Sequence, residues 1–255
     1  MAELPKNNFK LGLVAGQPQI GLWLSLTSPV ATEIVAGAGF DWVLIDMEHS
    51  ANDLSEVAAH LRAAEGGTAE PIVRPPWNDA VMVKRLLDIG VRTLLFPFVQ
   101  SAEEAARAVA ATRYPPAGIR GVSVATRANR YGRVKDYALR AAEEICVLVQ
   151  VETQAAVGQI EAIAAIDGVD GLFIGPSDLA ADMGYLGKSG SPDVQAAVLA
   201  AGARIRAAGK PAGYLSGSET ENRAVLGAGF GFVAVGSDVG ILARQSEALA
   251  QLYRG

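Results

Sequence analysis

Eight short runs of β-branched and bulky apolar residues punctuate the chain, and alanine-rich stretches with helical spacing separate them. The runs are IGLWLSL (20–26), WVLIDM (42–47), PIVRP (71–75), TLLFPFV (93–99), CVLVQVE (146–152), GLFIGPSD (171–178), PAGYL (211–215) and FVAVGSD (232–238). Near-continuous apolarity, rather than alternation, suits parallel strands covered on both faces. SEVAAHLRAAEG, SAEEAARAVAATRY and SPDVQAAVLAAGARIRAAG supply the helices between them. The joints AGAGFDWVLID, LDIGVRTLLFP, AIDGVDGLFIG and LGAGFGFVAVG each set a glycine between a helix and the next strand. Glycine there accepts the left-handed conformation that closes a helix. Eight such units in 255 residues predict an α/β fold, a (β/α)8 TIM barrel spanning residues 1–255 as one domain. A doubly wound open sheet is the rival architecture. No Gly-x-Gly-x-x-Gly follows the first strand to support it, and no break in composition marks a second domain.

Composition narrows the class of function. Apolar residues make up 50% and charged residues 19%, which excludes global disorder. With 22 basic against 27 acidic residues and no long basic run, a nucleic-acid surface is not expected. No apolar stretch approaches the roughly 20 residues that span a bilayer. The first ten residues, MAELPKNNFK, are too polar for a signal peptide, so a soluble cytoplasmic protein is expected. Cys146 is the lone cysteine and sits inside an apolar run, so it reads as a core residue. Two connections are longer than the rest, 113–137 and 183–192. Both are expected to leave the C-terminal ends of strands, as lids or subunit contacts.

Side chains at the C-terminal ends of barrel strands converge on one mouth, where barrel active sites sit. The second strand delivers Asp46, Glu48 and His49, the third Arg74, and the fifth Gln150 and Glu152. The sixth delivers Gly175, Pro176, Ser177 and Asp178, the seventh Tyr214 and Leu215, and the eighth Ser237 and Asp238. Glu152 and Asp178 end neighbouring strands, and two anions held close favour a cation between them. With no cluster of softer ligands, oxygen donors suit Mg²⁺ or Mn²⁺, or Co²⁺. The bland alternative makes Asp178 a helix cap. Backbone N–H groups of Gly-Pro-Ser-Asp lead into a helix start that favours a substrate carboxylate. Arg74 can hold a carboxylate or a developing enolate oxygen, or else a structural salt bridge. His49 suits proton transfer because imidazole titrates near neutrality, with Asp46 or an acid from elsewhere orienting its ring. Its bland alternative is a capping or buried polar residue. His60, on a helix, reads as a packing or surface residue.

Lysine placement separates two carbon–carbon bond chemistries. A Schiff-base aldolase needs a lysine within the barrel. Lys6, Lys10, Lys84, Lys135, Lys188 and Lys210 all fall outside the strands and their C-terminal ends. Enolate stabilisation then falls to a metal, with no organic cofactor.

The segments GLWLSL, AGAGFDWVLIDMEH, VRPPWND, RYPPAGIRGV, VLVQVET, GVDGLFIGPSDLAADMGY and FVAVGSD occur in order from about residue 20 to the C-terminus. Together they resemble the HpcH/HpaI aldolases, metal-dependent pyruvate aldolases, with the hydroxy-oxoheptanedioate branch nearest. The resemblance implies a barrel of the phosphoenolpyruvate/pyruvate type and cleavage of 4-hydroxy-2-oxo acids to pyruvate, or a related 2-oxo acid, and an aldehyde. It implies that His49 moves the proton, directly or through a water that it poises, and that Arg74 stabilises the transition state. Glu152 and Asp178 match the metal ligands and Gln150 a substrate contact. Ser177 stands where some members have alanine, and its implied contribution is a backbone N–H. Asp88 in RLLDIG matches an acid that raises histidine basicity in some members. It lies on a helix end away from this chain's own mouth, so that role would require a neighbouring subunit, and Asp46 is the favoured direct partner. Leu215 is expected to shape the aldehyde pocket. The resemblance also implies a homohexamer exchanging C-terminal helices, and a mean hydropathy of +0.23 is in keeping with association. Two rivals are a citrate-lyase-type barrel acting on CoA thioesters, with the arginines of 113–135 as its basic groove, and a non-catalytic oxo-acid binder.

Overall fold

The structure is a computed structural model and describes residues 2–254. Eight parallel strands close into a barrel in sequence order. They are β1 (Gln19–Leu24), β2 (Trp42–Asp46), β3 (Glu70–Arg74), β4 (Thr93–Phe96), β5 (Cys146–Val151), β6 (Gly171–Ile174), β7 (Ala212–Leu215) and β8 (Phe232–Ser237). Each pairs with the next, and β8 returns to β1 with a register shift between Gly21 and Trp23. The α/β barrel expected from the alternating runs is the observed fold. Strand ends are trimmed where the chemistry requires it. β4 stops before Pro97, which has no N–H for the ladder. β6 stops at Ile174 because Pro176 opens the helix Pro176–Asp182, where its fixed φ is already helical.

Two apolar layers hold the barrel. Inside it, Trp42, Leu44, Leu148, Phe173 and Phe232 pack with Cys146. Phe9, from the helix Asn8–Val14, plugs the lower end, its ring 5.9 Å from Trp42 and 5.7 Å from Phe232. Burial pushes the Cys146 thiol well up, which keeps it an unreactive core group. Outside the barrel, valines, leucines and alanines of strands and helices form the second layer. Gly39, Gly90, Gly168 and Gly229, the four joint glycines, all take φ between 85° and 99°. No helix among the described residues is long and apolar enough to cross a membrane.

One connection lies opposite to its expected position. The helix Ala102–Thr112 follows β4 and carries the chain back to the N-terminal rim before residue 113. Segment 113–145 therefore runs below the barrel. Arg127 donates to Ile89 O at 2.9 Å, and Glu144 accepts from Asn7 N at 2.8 Å. Its arginines are remote from the mouth, which removes the basic groove that a CoA thioester would need there. The connection 183–191 does lie at the mouth, with Ser189 on the cavity wall.

Candidate active site

A cavity of about 770 Å³ opens at the C-terminal ends of the strands. His49, Arg74, Gln150, Asp178 and Leu215 all line it. The sequence-predicted residues Asp46, Gly175, Pro176 and Ser177 do so too. No lysine of the described residues reaches this wall.

Its most ordered part is set by sheet register. Asp46 of β2 pairs directly with Arg74 of β3. Arg74 Nε donates to Asp46 Oδ1 at 2.8 Å and Nη2 to Oδ2 at 2.7 Å, a two-pronged ion pair buried beneath the mouth. Trp23 Nε1 adds a bond to Oδ2 at 3.2 Å, and the Glu48 amide one to Oδ1 at 3.0 Å. Burial pushes the Asp46 carboxyl up, but the bonds and charge of Arg74, with these two donors, outweigh it and hold it below its ordinary value. Arg74 Nη1 lies 2.8 Å from Glu48 Oε2, and the guanidinium sits 4.9 Å from the Trp23 ring centroid. Two of its five N–H groups are thus hydrogen-bonded to Asp46, while Nη1 is ion-paired with Glu48 without a hydrogen bond, since Glu48 Oε2 is buried with no hydrogen-bond partner.

This geometry corrects the expected partner of His49. Both Asp46 oxygens are spent on Arg74, Trp23 and Glu48, so Asp46 orients Arg74 rather than the imidazole. The acid beside His49 is Glu48, whose Oε2 is 3.9 Å from Nε2. The His49 side chain is 66% exposed to the cavity mouth. Asp88 ends the helix Ala80–Asp88 on the opposite rim and accepts from Arg120 Nη2 at 3.1 Å, away from this chain's cavity. His60 is fully buried, between Thr32 Oγ1 at 2.6 Å and Asn52 Oδ1 at 3.0 Å, a packing role as read from its helix. Asp238 is held by the backbone amides of Ser25 and Leu26.

The other pole gathers carboxylates. Glu152, just past β5, is 1% exposed. Its Oε1 accepts from Phe98 N at 2.8 Å, and its Oε2 meets the Gln150 amide. Burial, with the charges of Asp178 and Glu48, pushes its carboxyl up to about 7 against the bonds of Gln150 and Phe98. Glu48 is raised chiefly by burial, despite Arg74 and His49. Asp178 sits in the first turn of its helix, exposed on the cavity wall, while Gly175 holds the N-cap position. Asp178 is therefore not the cap. Gly175 also lets Glu152 approach, since a Cβ there would lie 2.2 Å from Glu152 Oε2.

These residues suit a hard divalent cation. The charge of Asp178 helps raise both Glu152 and Glu48, and Gln150 Oε1 is buried without a hydrogen-bond partner. A cation between Glu152 and Asp178 would relieve both conditions. Among the described residues no group of three His, Cys, Asp or Glu side chains is placed to hold a metal ion, and the oxygen donors of this pair are of the kind that hard ions such as Mg²⁺ take.

The sequence profile of the HpcH/HpaI aldolase/citrate lyase family matches residues 19–244, most of the chain and all eight strands. The chain belongs to that family. It is 55% identical over 251 residues to a pyruvate aldolase of Rhizobium etli, with 98% of this chain and 99% of that one covered. It is 53% identical to a 4-hydroxy-2-oxo-heptane-1,7-dioate aldolase of Salmonella dublin, covering 97% and 95%. A HpcH/HpaI aldolase/citrate lyase family protein of Burkholderia cenocepacia superposes with a TM-score of 0.94 at 42% identity, covering 98% of this chain and 100% of that one. Two residues of this site, Trp23 and Phe98, escape sequence reasoning, as does the bridging position of Glu48. Trp23 carries the face on which Arg74 rests, Glu48 bridges Arg74 and His49, and Phe98, at φ 52°, turns its N–H to Glu152. Glu48 was visible as a strand-end acid. The left-handed Phe98 has no sequence signal, since glycine or asparagine is the usual occupant.

Proposed function

We propose that the protein is a divalent-metal-dependent aldolase that reversibly cleaves 4-hydroxy-2-oxo acids to pyruvate, or a related 2-oxo acid, and an aldehyde. The observation that carries this is one cavity lined by the fixed guanidinium of Arg74, the exposed imidazole of His49, Gln150 and Asp178, with the buried Glu152 carboxyl directly behind Gly175 of that lining. Glu152 and Asp178 would hold Mg²⁺, Mn²⁺ or Co²⁺, which when bound supplies Lewis acidity toward the oxo acid and its enolate.

The chain's own residues do the rest. Arg74, fixed by its two bonds to Asp46 and paired in charge with Glu48, offers its remaining N–H groups to the oxygen on which enolate charge develops. Gln150 contacts the oxo acid, and the opening turn Gly175–Asp178 offers backbone N–H groups to its carboxylate. His49, beside Glu48, takes the C4 hydroxyl proton during cleavage and returns it to the alkoxide during synthesis. Leu215 lines the aldehyde end. Small soluble substrates suit a cytoplasmic enzyme. A homohexamer is supported by the last helix, Asp238–Leu252, which leaves Ile241, Leu242, Leu249 and Leu252 exposed for a neighbouring barrel to cover.

Exchange of pyruvate methyl protons into deuterated water tests the reading without any aldehyde. Exchange that needs Mn²⁺ and stops with EDTA is expected. Pyruvate binding with no exchange under either condition would leave only an oxo-acid binder.

A further inference from the structure

The cavity wall formed by β7, β8 and the loops above them has a polar network that the reaction as described leaves unused. Its centre is Glu221, near the start of the helix Glu219–Gly227. Glu221 Oε2 accepts from Ser216 Oγ at 2.7 Å and from Tyr214 Oη at 3.1 Å. Tyr214 is fully buried, and its Oη already accepts from Gln195 Nε2 at 3.0 Å, so its proton is committed to Glu221. The same Gln195 amide bonds Ser189 O at 2.8 Å, tying the 183–191 loop to this wall.

The second oxygen of Glu221 is different. Oε1 accepts no hydrogen bond from the described residues, and no lysine or arginine of theirs pairs with Glu221. Gly190 keeps it uncovered, since a Cβ there would come within 2.9 Å of it. Arg244 is the cation on this side of the cavity among the described residues, and its Nε is held by Glu247 Oε2 at 2.9 Å. The wall thus presents one carboxylate oxygen with no salt-bridge partner among the described residues, its sister oxygen fixed by the Ser216 and Tyr214 hydroxyls. Such a surface accepts hydrogen bonds from hydroxyl donors and repels a second anion.

We infer that Glu221 is a specificity-determining residue that selects neutral, hydroxylated aldehydes over aldehydes ending in a carboxylate. The inference rests on the aldolase reading above and deepens it by naming the substrate class. A heptane-1,7-dioate, the compound for which one relative is named, would yield on such cleavage an aldehyde that bears a carboxylate, the class this wall disfavours.

The test compares kcat/KM for pyruvate addition to glyceraldehyde, propanal and succinic semialdehyde by the Mn²⁺-loaded protein. Glyceraldehyde is expected to exceed succinic semialdehyde by at least about tenfold, the scale of one hydrogen bond to a charged acceptor. Glu221→Gln keeps an acceptor for Tyr214 and Ser216, and is expected to shrink that ratio about tenfold, chiefly by a gain for succinic semialdehyde. Propanal, with neither hydroxyl nor charge, is expected to move less than about threefold. If the variant does not fold, salt decides on the unaltered protein: the gap narrows at high ionic strength when Glu221 repels the anionic aldehyde. Preference for succinic semialdehyde in the unaltered protein, or a ratio unmoved by Glu221→Gln, would overturn the inference. So would a gap insensitive to salt. Pyruvate deuterium exchange in the unaltered protein keeps the two readings apart. Its absence refutes the aldolase, whereas exchange without the aldehyde preference refutes only the role of Glu221.

Discussion

Replacing Gly175 with alanine adds a single methyl group next to Glu152. The backbone at Gly175, φ −82° and ψ 100°, is open to any residue, so no conformational strain accompanies the change. The new Cβ would stand 2.2 Å from Glu152 Oε2, 2.8 Å from Glu152 Cβ and 2.9 Å from Gln150 Nε2, where ordinary contact begins at 3.4 Å. The carboxylate must retreat by about 1 Å, and because its own Cβ is also too close, a rotation about the terminal bond alone is insufficient. Overpacking of this size costs about 1–3 kcal/mol of stability. A displacement of about 1 Å in a positioned group can cost about 10²-fold in rate. Gly175→Ala is therefore expected to stay folded, with a lowered Tm, weaker Mn²⁺ binding by calorimetry and turnover reduced about a hundredfold. Turnover and Mn²⁺ affinity equal to those of the unaltered protein would show that the Glu152 carboxylate does not hold the ion at this place.

His49→Ala is expected to lose about 10²–10⁴ in turnover while binding Mn²⁺ normally, and undiminished turnover would remove the imidazole from proton transfer. Arg74→Ala leaves Asp46 as a buried charge without its partner, so urea denaturation should register a loss of about 3–5 kcal/mol. In metal-free protein, Glu152 holds its proton up to about 7 when folded but only to about 4.5 when unfolded. Between those values the folded state binds more protons, so this group lowers stability as pH rises through the window, and Glu152→Gln should flatten that part of a Tm-against-pH curve. Mn²⁺ affinity should fall about tenfold per pH unit below about 7, since the ion must displace that proton.

The barrel and the gathering of strand-end polar residues at one cavity were legible because each is written locally. Long apolar runs report strands buried on both faces, the left-handed glycines mark the joints, and polar residues that end those runs face one mouth. Three-dimensional neighbours are less legible. Asp46 precedes His49 by three residues, yet sheet register hands both of its oxygens to Arg74, twenty-eight positions away. Segment 113–137 looks like a lid until the helix before it is counted as a crossing, after which it must emerge at the lower rim. Tyr214 and Glu221 meet because a strand end and a helix start fold onto each other, and spacing alone is silent about that contact.

The in-register pair of Asp46 and Arg74 makes the chemistry a property of the staves themselves. The Arg74 guanidinium cannot drift without slipping β2 past β3, which would turn the core residues of both toward the wrong face. The opposite wall hangs on short loops and on one helix start, and can be rewritten one residue at a time. A lineage built this way can exchange one aldehyde for another over generations while its bond-making step stays anchored.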